Sequence, residues 1–171
     1  MSSKTNFPRN CTVSTLCVLA CLASGSARAV TSITTTFQAT LTISMQCVIT
    51  NASTLDFGAN GVLATNVDLA TTVSVICTNL SPYNVGLDGG QFGTDVNNRK
   101  MQGGPANELI GYSLSTNAAR STNWGNTIGT DTVSATGTGT AQTFTIYGRV
   151  PPQATPRPGA YADTVTMTVT Y

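Results

Sequence analysis

The stretch ITTTFQATLTISMQC, residues 33–47, alternates between two kinds of side chain along its whole length. In an extended chain one face is mostly apolar: Ile33, Thr35, Phe37, Ala39, Leu41, Ile43, Met45 and Cys47. The other face carries only Thr, Gln and Ser. Strict alternation with a period of two predicts a half-buried β-strand.

This predicted strand is too long for one small domain. Its 15 residues would span about 50 Å at about 3.3 Å per residue. A compact domain of about 140 residues is only about 35–40 Å across. Either the run bends sharply, or part of it leaves the domain to which it belongs.

Residues 1–29 are predicted to be a secretory signal peptide. Lys4 and Arg9 precede a mostly apolar run at residues 11–23, and the small residues around Ala29 predict cleavage between Ala29 and Val30. The run of about 13 residues is shorter than the roughly 20 needed to span a bilayer. A lipoprotein modified at Cys21 and a buried helix are the two less favoured interpretations.

The mature chain, residues 30–171, is predicted to be one domain. Charged residues make up 9% of the full sequence, and the mature part has five basic and seven acidic residues, a net charge of −2. No basic patch is present, so nucleic acid and anionic membranes are poor partners. Thr, Val, Ser, Asn and Gly dominate, which is typical of strands and turns.

Two cysteines, Cys47 and Cys77, remain after removal of the signal peptide. In an exported domain they are expected to form a disulfide. Closing a loop of about 30 residues would contribute roughly 3–4 kcal/mol. Two free buried thiols are the alternative.

Further strands are predicted by alternation and by the turn residues that separate them. They cover residues 67–78, 82–87, 109–114, 141–150 and 161–171, and Gly- and Asn-rich connections occupy residues 88–105 and 116–139. Short strands separated in this way indicate an antiparallel β-sandwich.

No catalytic, cofactor-binding or metal-binding residue is predicted. The sequence has no histidine, which excludes Ser-His-Asp and Cys-His centres and zinc sites that use histidine. Asp88, Asp95, Asn97 and Asn98 share one loop and offer oxygen ligands, but their spacing matches no calcium loop, and an ordinary turn is favoured. We therefore expect a non-enzymatic protein without a cofactor.

Together, the ordered motifs of the mature chain resemble those of the spore coat protein U domain family, which includes the major pilins of archaic chaperone–usher pili. The motifs follow the strand that ends at Cys47: LDFG (55–58), VICT (75–78), YNVGLDGG (83–90), NRKM (98–101), LIGYSL (109–114), AAR (118–120), WG (124–125), TGTGTAQ (136–142), YGRVP (147–151) and PGAYADT (158–164). We assign no function to the pair Arg99-Lys100.

The resemblance implies an incomplete immunoglobulin-like sandwich that lacks its last strand. A periplasmic chaperone would lend a strand, and an N-terminal donor strand of another copy or a related subunit would replace it at an outer-membrane usher. The expected donor strand, about residues 30–39, inserts Ile33, Thr35, Phe37 and Ala39 and extends to Leu41 at most. Its boundary with the domain's own first strand is expected near Ala39 to Leu41. Residues 30–55 contain no charge, so this segment can enter an apolar groove.

Three functions follow from these observations. The leading one is a structural subunit of an extracellular pilus or fibre. The second is a secreted coat-type structural protein that assembles differently. The third, a surface- or carbohydrate-binding β-sandwich, would normally show clustered exposed aromatic residues, whereas Trp124 is isolated in the sequence.

Overall fold

The computed structural model of the protein describes residues 28–171. Most of the predicted signal peptide, including Cys21, lies outside the described residues. The chain divides into two units, one ending at Thr40 and one covering Leu41–Tyr171. Within the first unit, residues 28–40 form neither helix nor strand, and all their side chains are exposed.

The second unit is built from β-strands, and residues 28–171 contain no helix. The strands are β1 (Cys47–Ala52), β2 (Val67–Cys77), β3 (Pro82–Leu87), β4 (Arg99–Gly103), β5 (Glu108–Ser115), β6 (Val133–Thr136), β7 (Ala141–Val150), β8 (Tyr161–Ala162) and β9 (Met167–Thr170). A six-stranded sheet has the order β1-β2-β7-β5-β4-β8, and a three-stranded sheet has the order β6-β3-β9. Every described pairing of these strands is antiparallel, which confirms the predicted fold class.

Part of the core is formed by strand residues whose inward positions the alternation predicted, and part by residues of the connections. Val75, Cys77 and Val85 are fully buried. Trp124 is 1% exposed, and its indole Nε1 donates to the carbonyl of Val85 at 2.9 Å. Its ring meets Phe144 edge to face, with centroids 6.4 Å apart. Trp124 is therefore a core residue.

The domain's own first strand begins later than the sequence suggested. The division between the two units, after Thr40, falls within the expected range Ala39 to Leu41, and the end of the donor strand stays a prediction. The first strand itself, β1, nevertheless starts only at Cys47, and residues 41–46 form no strand. The reason is that β2, the partner of β1, ends at Cys77. Thr78 still bonds to Gln46 through its backbone N–H, at 2.9 Å, but the chain then turns away at Leu80, which has a φ of 61°. No strand remains there to pair with residues 41–45.

Two strands were missed in the Gly-rich connections. One is β4, which is held between β5 and β8, and the other is β6, at one edge of the smaller sheet. The sequence of β4, RKMQG, has neither alternation nor β-branched residues. Its extended conformation therefore depends on its two neighbouring strands and not on local propensity.

The last predicted strand, residues 161–171, is divided between the two sheets. β8 pairs with β4 in the larger sheet, and β9 pairs with β3 in the smaller one. Residues 163–166 form the crossing between them. The alternation of half-buried and exposed side chains nevertheless continues without a break from Tyr161 to Thr170.

Candidate functional site: an open groove beside an unpaired strand edge

One edge of the smaller sheet has no partner strand, because β9 pairs only with β3. The backbone of Thr166 is directed at β3: its carbonyl accepts from the N–H of Asp88 at 3.0 Å, and its N–H donates to Asp88 Oδ1 at 2.8 Å. Backbone groups of alternate residues in an antiparallel strand point the same way. Thr168 is thus directed at β3 as well, and Met167 and Val169 direct their N–H and C=O groups at the unpaired edge.

An apolar groove of about 520 Å³ opens within the same unit. The larger sheet contributes Val73, Met101, Leu114 and Ile146 to its lining. Leu87, Val165 and Met167 line it from β3 and from the C-terminal run. A further wall is the segment 52–57, which begins at the last residue of β1. The groove is thus bordered by apolar side chains of both sheets.

A second cavity of about 630 Å³ adjoins the first, because the two share Leu55, Phe57, Met101 and Tyr161 in their linings. It continues to Leu63, Ile110 and Val150 and to residues 155–160. We call these two adjoining cavities together the trough.

The wall formed by Leu55 and Phe57 depends on a glycine in β7. A Cβ atom at Gly148 would lie 2.5 Å from Leu55 Cδ2 and 2.9 Å from Phe57 Cζ. Only glycine lets both side chains approach this strand so closely. The ring of Phe57 also meets Tyr112 edge to face, with centroids 6.5 Å apart.

One carboxylate in the lining, that of Asp163, is half-buried. Its Oδ2 accepts from the hydroxyl of Tyr112 at 2.7 Å, and its Oδ1 accepts from the N–H groups of Gln91 and Thr164, both at 2.8 Å. Burial, together with the hydrogen bond to this carboxylate, raises the pKa of Tyr112 far above its ordinary value. The Tyr112 hydroxyl therefore stays protonated and acts as a hydrogen-bond donor.

Behind the groove, Arg99 is a buried cation that sequence reasoning missed. The side chain is 1% exposed. Nη2 donates to the carbonyls of Trp124 at 2.7 Å and Leu87 at 2.9 Å, Nε to that of Asp88 at 2.7 Å, and Nη1 to that of Val96 at 3.0 Å. Desolvation lowers the pKa of this guanidinium, which nevertheless remains charged. No sequence signal could reveal this role, because four of its five hydrogen-bond acceptors are backbone carbonyls.

The predicted disulfide is present. Cys47 and Cys77 are bonded, with their Cα atoms 4.1 Å apart, and Cys77 is fully buried. The pair joins the first residue of β1 to the last residue of β2.

The residues expected to form the donor strand are all exposed. Ile33 is 94%, Phe37 90% and Leu41 85% exposed, and Thr35 and Ala39 are also exposed. Ala29 and Val30, the expected cleavage site, are exposed as well. Their roles remain predictions.

The loop that offered oxygen ligands for calcium folds as a set of turns. Asp95 Oδ1 accepts from the N–H of Asn97 at 2.7 Å, and Asp88 Oδ1 accepts from that of Gly90 at 3.0 Å. Within residues 28–171, no group of three or more His, Cys, Asp or Glu side chains is placed to hold a metal ion. The same part of the chain has no helix long and apolar enough to cross a membrane.

Comparison with solved structures supports the immunoglobulin-like fold. One similar chain comes from the CsuC–CsuE chaperone–tip adhesion subunit pre-assembly complex of archaic chaperone–usher Csu pili of Acinetobacter baumannii. It is 22% identical, with a TM-score of 0.55, and the match covers 76% of this chain and 40% of that one. The present chain thus spans about two fifths of the length of its structural relative.

A second similar chain comes from a chaperone–tip adhesin complex of CFA/I fimbriae biogenesis. It is 12% identical, with a coverage of 74% of this chain and 41% of that one, and its TM-score of 0.40 is too low to indicate a shared fold. No curated protein sequence matches the chain. The model of the Spore Coat Protein U domain matches residues 33–168, nearly the whole of the predicted mature chain. The protein therefore belongs to the Spore Coat Protein U domain family.

Proposed function

We propose that this protein is a structural subunit of an extracellular pilus or fibre, exported through the periplasm and assembled by strand exchange. In this mechanism the N-terminal extension of one copy enters the open groove of the next copy and pairs with β9. The proposal assigns the protein no catalytic role and no cofactor.

The proposal depends on one observation: an unpaired strand edge and an open apolar groove lie side by side. The outward N–H and C=O groups of Met167 and Val169 lack a strand partner, and the apolar trough beside them is open. An exposed strand edge of this kind promotes pairing with another chain. One added extended strand would satisfy the backbone groups and cover the apolar surface together.

The extension has the composition that such a strand needs. Its inward face is mostly apolar, and residues 30–55 carry no charge that would have to be buried. Its outward face carries Thr34, Thr36 and Thr40. The outward face of β9 carries Thr168 and Thr170. Threonines on neighbouring strands form favourable cross-strand pairs.

The proposed partners follow from the same open edge. A subunit with an unpaired apolar groove would aggregate in the periplasm unless a partner covered it. The similar Csu chain was crystallised in a complex of a chaperone with a pilus subunit before assembly. By analogy, we expect a periplasmic chaperone to fill the groove first and an outer-membrane usher to exchange it for the extension of another copy.

The competing functions are less well supported. A carbohydrate-binding module needs accessible aromatic rings, and the only tryptophan, Trp124, is in the core. A coat-type protein of the same fold would share the groove but would not need the extension for assembly.

Removing residues 30–38 tests the proposal. We expect the truncated protein to fold with its chaperone and to accept a strand, but not to form fibres alone. The measurement is electron microscopy of surface fibres, together with the heat-resistant ladder of assembled subunits on a denaturing gel. Fibres as abundant as those of the full chain would rule out strand exchange and favour the coat-type protein.

A further inference from the structure

The trough has a polar position along its C-terminal wall. The inward residues of this wall are Tyr161, Asp163, Val165 and Met167, and all four are half-buried. Asp163 is the only acidic residue among them. Asp56 also borders the trough, but its side chain is exposed and accepts from the N–H of Gly58 at 2.9 Å within its own turn.

The backbone of a neighbouring loop packs closely against this carboxylate. Gly90, with a φ of 75°, lies so close that an added Cβ would collide with the carboxyl group of Asp163. Oδ1 already accepts two backbone N–H groups, whereas Oδ2 accepts only the Tyr112 hydroxyl. A carboxylate has about four acceptor positions. Oδ2 therefore has an unused acceptor position, and because Asp163 lines the open groove, a strand that covers the trough could supply the donor.

A strand that covers Asp163 with an apolar side chain would remove water from this carboxylate without replacing the lost hydrogen bond. Such an exchange is unfavourable for any buried polar group and more so for a charged one. The covering strand should therefore place a hydroxyl or amide donor at this point.

The expected donor strand has one such side chain on its inward face. Between Ile33 and Leu41 that face carries Ile33, Thr35, Phe37, Ala39 and Leu41, of which only Thr35 has a hydroxyl. We propose that Thr35 of the entering copy donates to Asp163 Oδ2 of the accepting copy, and that this hydrogen bond sets the register of strand exchange. The inference rests on the proposed function, since it concerns the same groove.

The hydrogen bond would discriminate between registers because side chains in a strand repeat every second residue. A slip of two residues places Ile33 or Phe37 over Asp163. The next inward hydroxyl is that of Thr31, four residues from Thr35 and second in the predicted mature chain. That longer slip moves Phe37 away from both neighbours of Asp163, so it can be recognised experimentally.

Cysteine pairs that leave both Thr35 and Asp163 intact can report the register. Ile33→Cys and Phe37→Cys flank Thr35, and Tyr161→Cys and Val165→Cys flank Asp163. One change from each pair is placed in the full chain, and the assembled fibres are oxidised and then dissociated in a denaturant strong enough to convert fibres of the unmodified chain to monomers. Neighbouring strands are close enough for a disulfide only between directly opposed positions.

In the proposed register, each of the two positions next to Thr35 on the inward face (33 and 37) cross-links to one of the two positions next to Asp163 (161 and 165). The direction of the entering strand decides which of them pair. Two of the four double variants should therefore give covalent ladders that reductant abolishes, and these two should share neither cysteine. Cross-linking of Phe37→Cys to Met167→Cys or Val169→Cys instead would overturn the proposed register but not strand exchange. If none of the variants assembled into fibres, and the unmodified chain did not assemble either, the proposed function itself would fail.

The role of the hydroxyl is tested by adding a third change to the two cross-linking variants. Thr35→Val keeps the shape but removes the donor, and we expect the specific cross-link to fall by about ten-fold, the order expected from one lost hydrogen bond to a charged group. Thr35→Ser should restore it. An unchanged cross-link with Thr35→Val would mean that packing alone sets the register.

Discussion

Cys47 and Cys77 lie directly opposite each other in the larger sheet and are joined by a disulfide. Cys47 is the first residue of β1, which is an edge strand with five of its six residues exposed. Cys77 ends β2, which is paired with β7 along ten residue pairs. The disulfide therefore fastens the edge strand β1 to β2, which β7 holds on its other side.

Loss of this disulfide should destabilise the domain without changing its sheet order. For Cys47→Ala with Cys77→Ala we expect the free energy of unfolding to fall by about 3 kcal/mol, the contribution of a cross-link that closes a loop of this size. Denaturant unfolding measures this change on protein that has been separated from its chaperone and has a donor strand in its groove. Peptide mapping of the exported wild type should find the two cysteines linked, and free thiols at both positions would contradict the assignment.

Processing is expected to leave Val30 as the first residue of the exported protein. The small residues before it fit the specificity of signal peptidase. N-terminal sequencing of the surface protein measures this directly. A blocked N-terminus with lipid on Cys21 would support the lipoprotein interpretation instead.

Replacing Phe37 with Asp should prevent polymerisation but not folding. Phe37 is the largest inward side chain of the extension, and its burial contributes about 1.5–3 kcal/mol. Asp would place an unpaired charge in an apolar groove, at a cost of several kcal/mol more. The measurement is the ladder of assembled subunits on a denaturing gel. Phe37→Leu is the matched control, and ladders from both variants would show that this residue does not enter the groove.

Two proline substitutions in β9 should distinguish a defect in strand exchange from a defect in folding. The N–H of Val169 faces the unpaired edge. Val169→Pro therefore keeps the hydrogen bonds between β9 and β3 but removes one donor from the edge at which the extension is proposed to dock. We expect chaperone-bound subunits in normal amounts and few fibres, with Val169→Ala as the control for the lost side chain.

Thr168→Pro should fail at an earlier stage. Thr168 pairs with Gly86 of β3, so proline removes a hydrogen bond inside the domain. Soluble subunit in the periplasm should fall sharply, as measured by immunoblotting. Equal effects of the two proline variants on folding would contradict the assignment of the free edge.

Replacing Arg99 should cost far more stability than replacing an exposed arginine. Arg99→Met leaves four carbonyl groups without their donor, and we expect a loss of about 3 kcal/mol or more. Arg157→Met is the control, because the Arg157 side chain is 63% exposed and its ion pair with Glu108 is a surface contact. That change should cost less than about 1 kcal/mol. Denaturant unfolding compares the two, and similar losses would refute the structural role of Arg99.

The amino-acid sequence by itself determined the fold class, most of the strands, the cysteine pair and the family. These depend on local signals: alternation every second residue, turn residues between runs, and the order of short motifs. The inward positions from Tyr161 to Val169 follow from alternation alone, even though the chain changes sheets among them. The same alternation assigns Phe37 and its apolar neighbours in the extension to one face.

Only the tertiary structure decided which strand pairs with which, and where pairing ends. β1 begins at Cys47 because β2 ends at Cys77, thirty residues away in the sequence. The free edge of β9 and the carbonyl cage around Arg99 also depend on distant partners. Alternation identifies the faces of a strand, but hydrogen bonds between strands join residues far apart in the chain. A sequence pattern with a period of two contains no information about those partners.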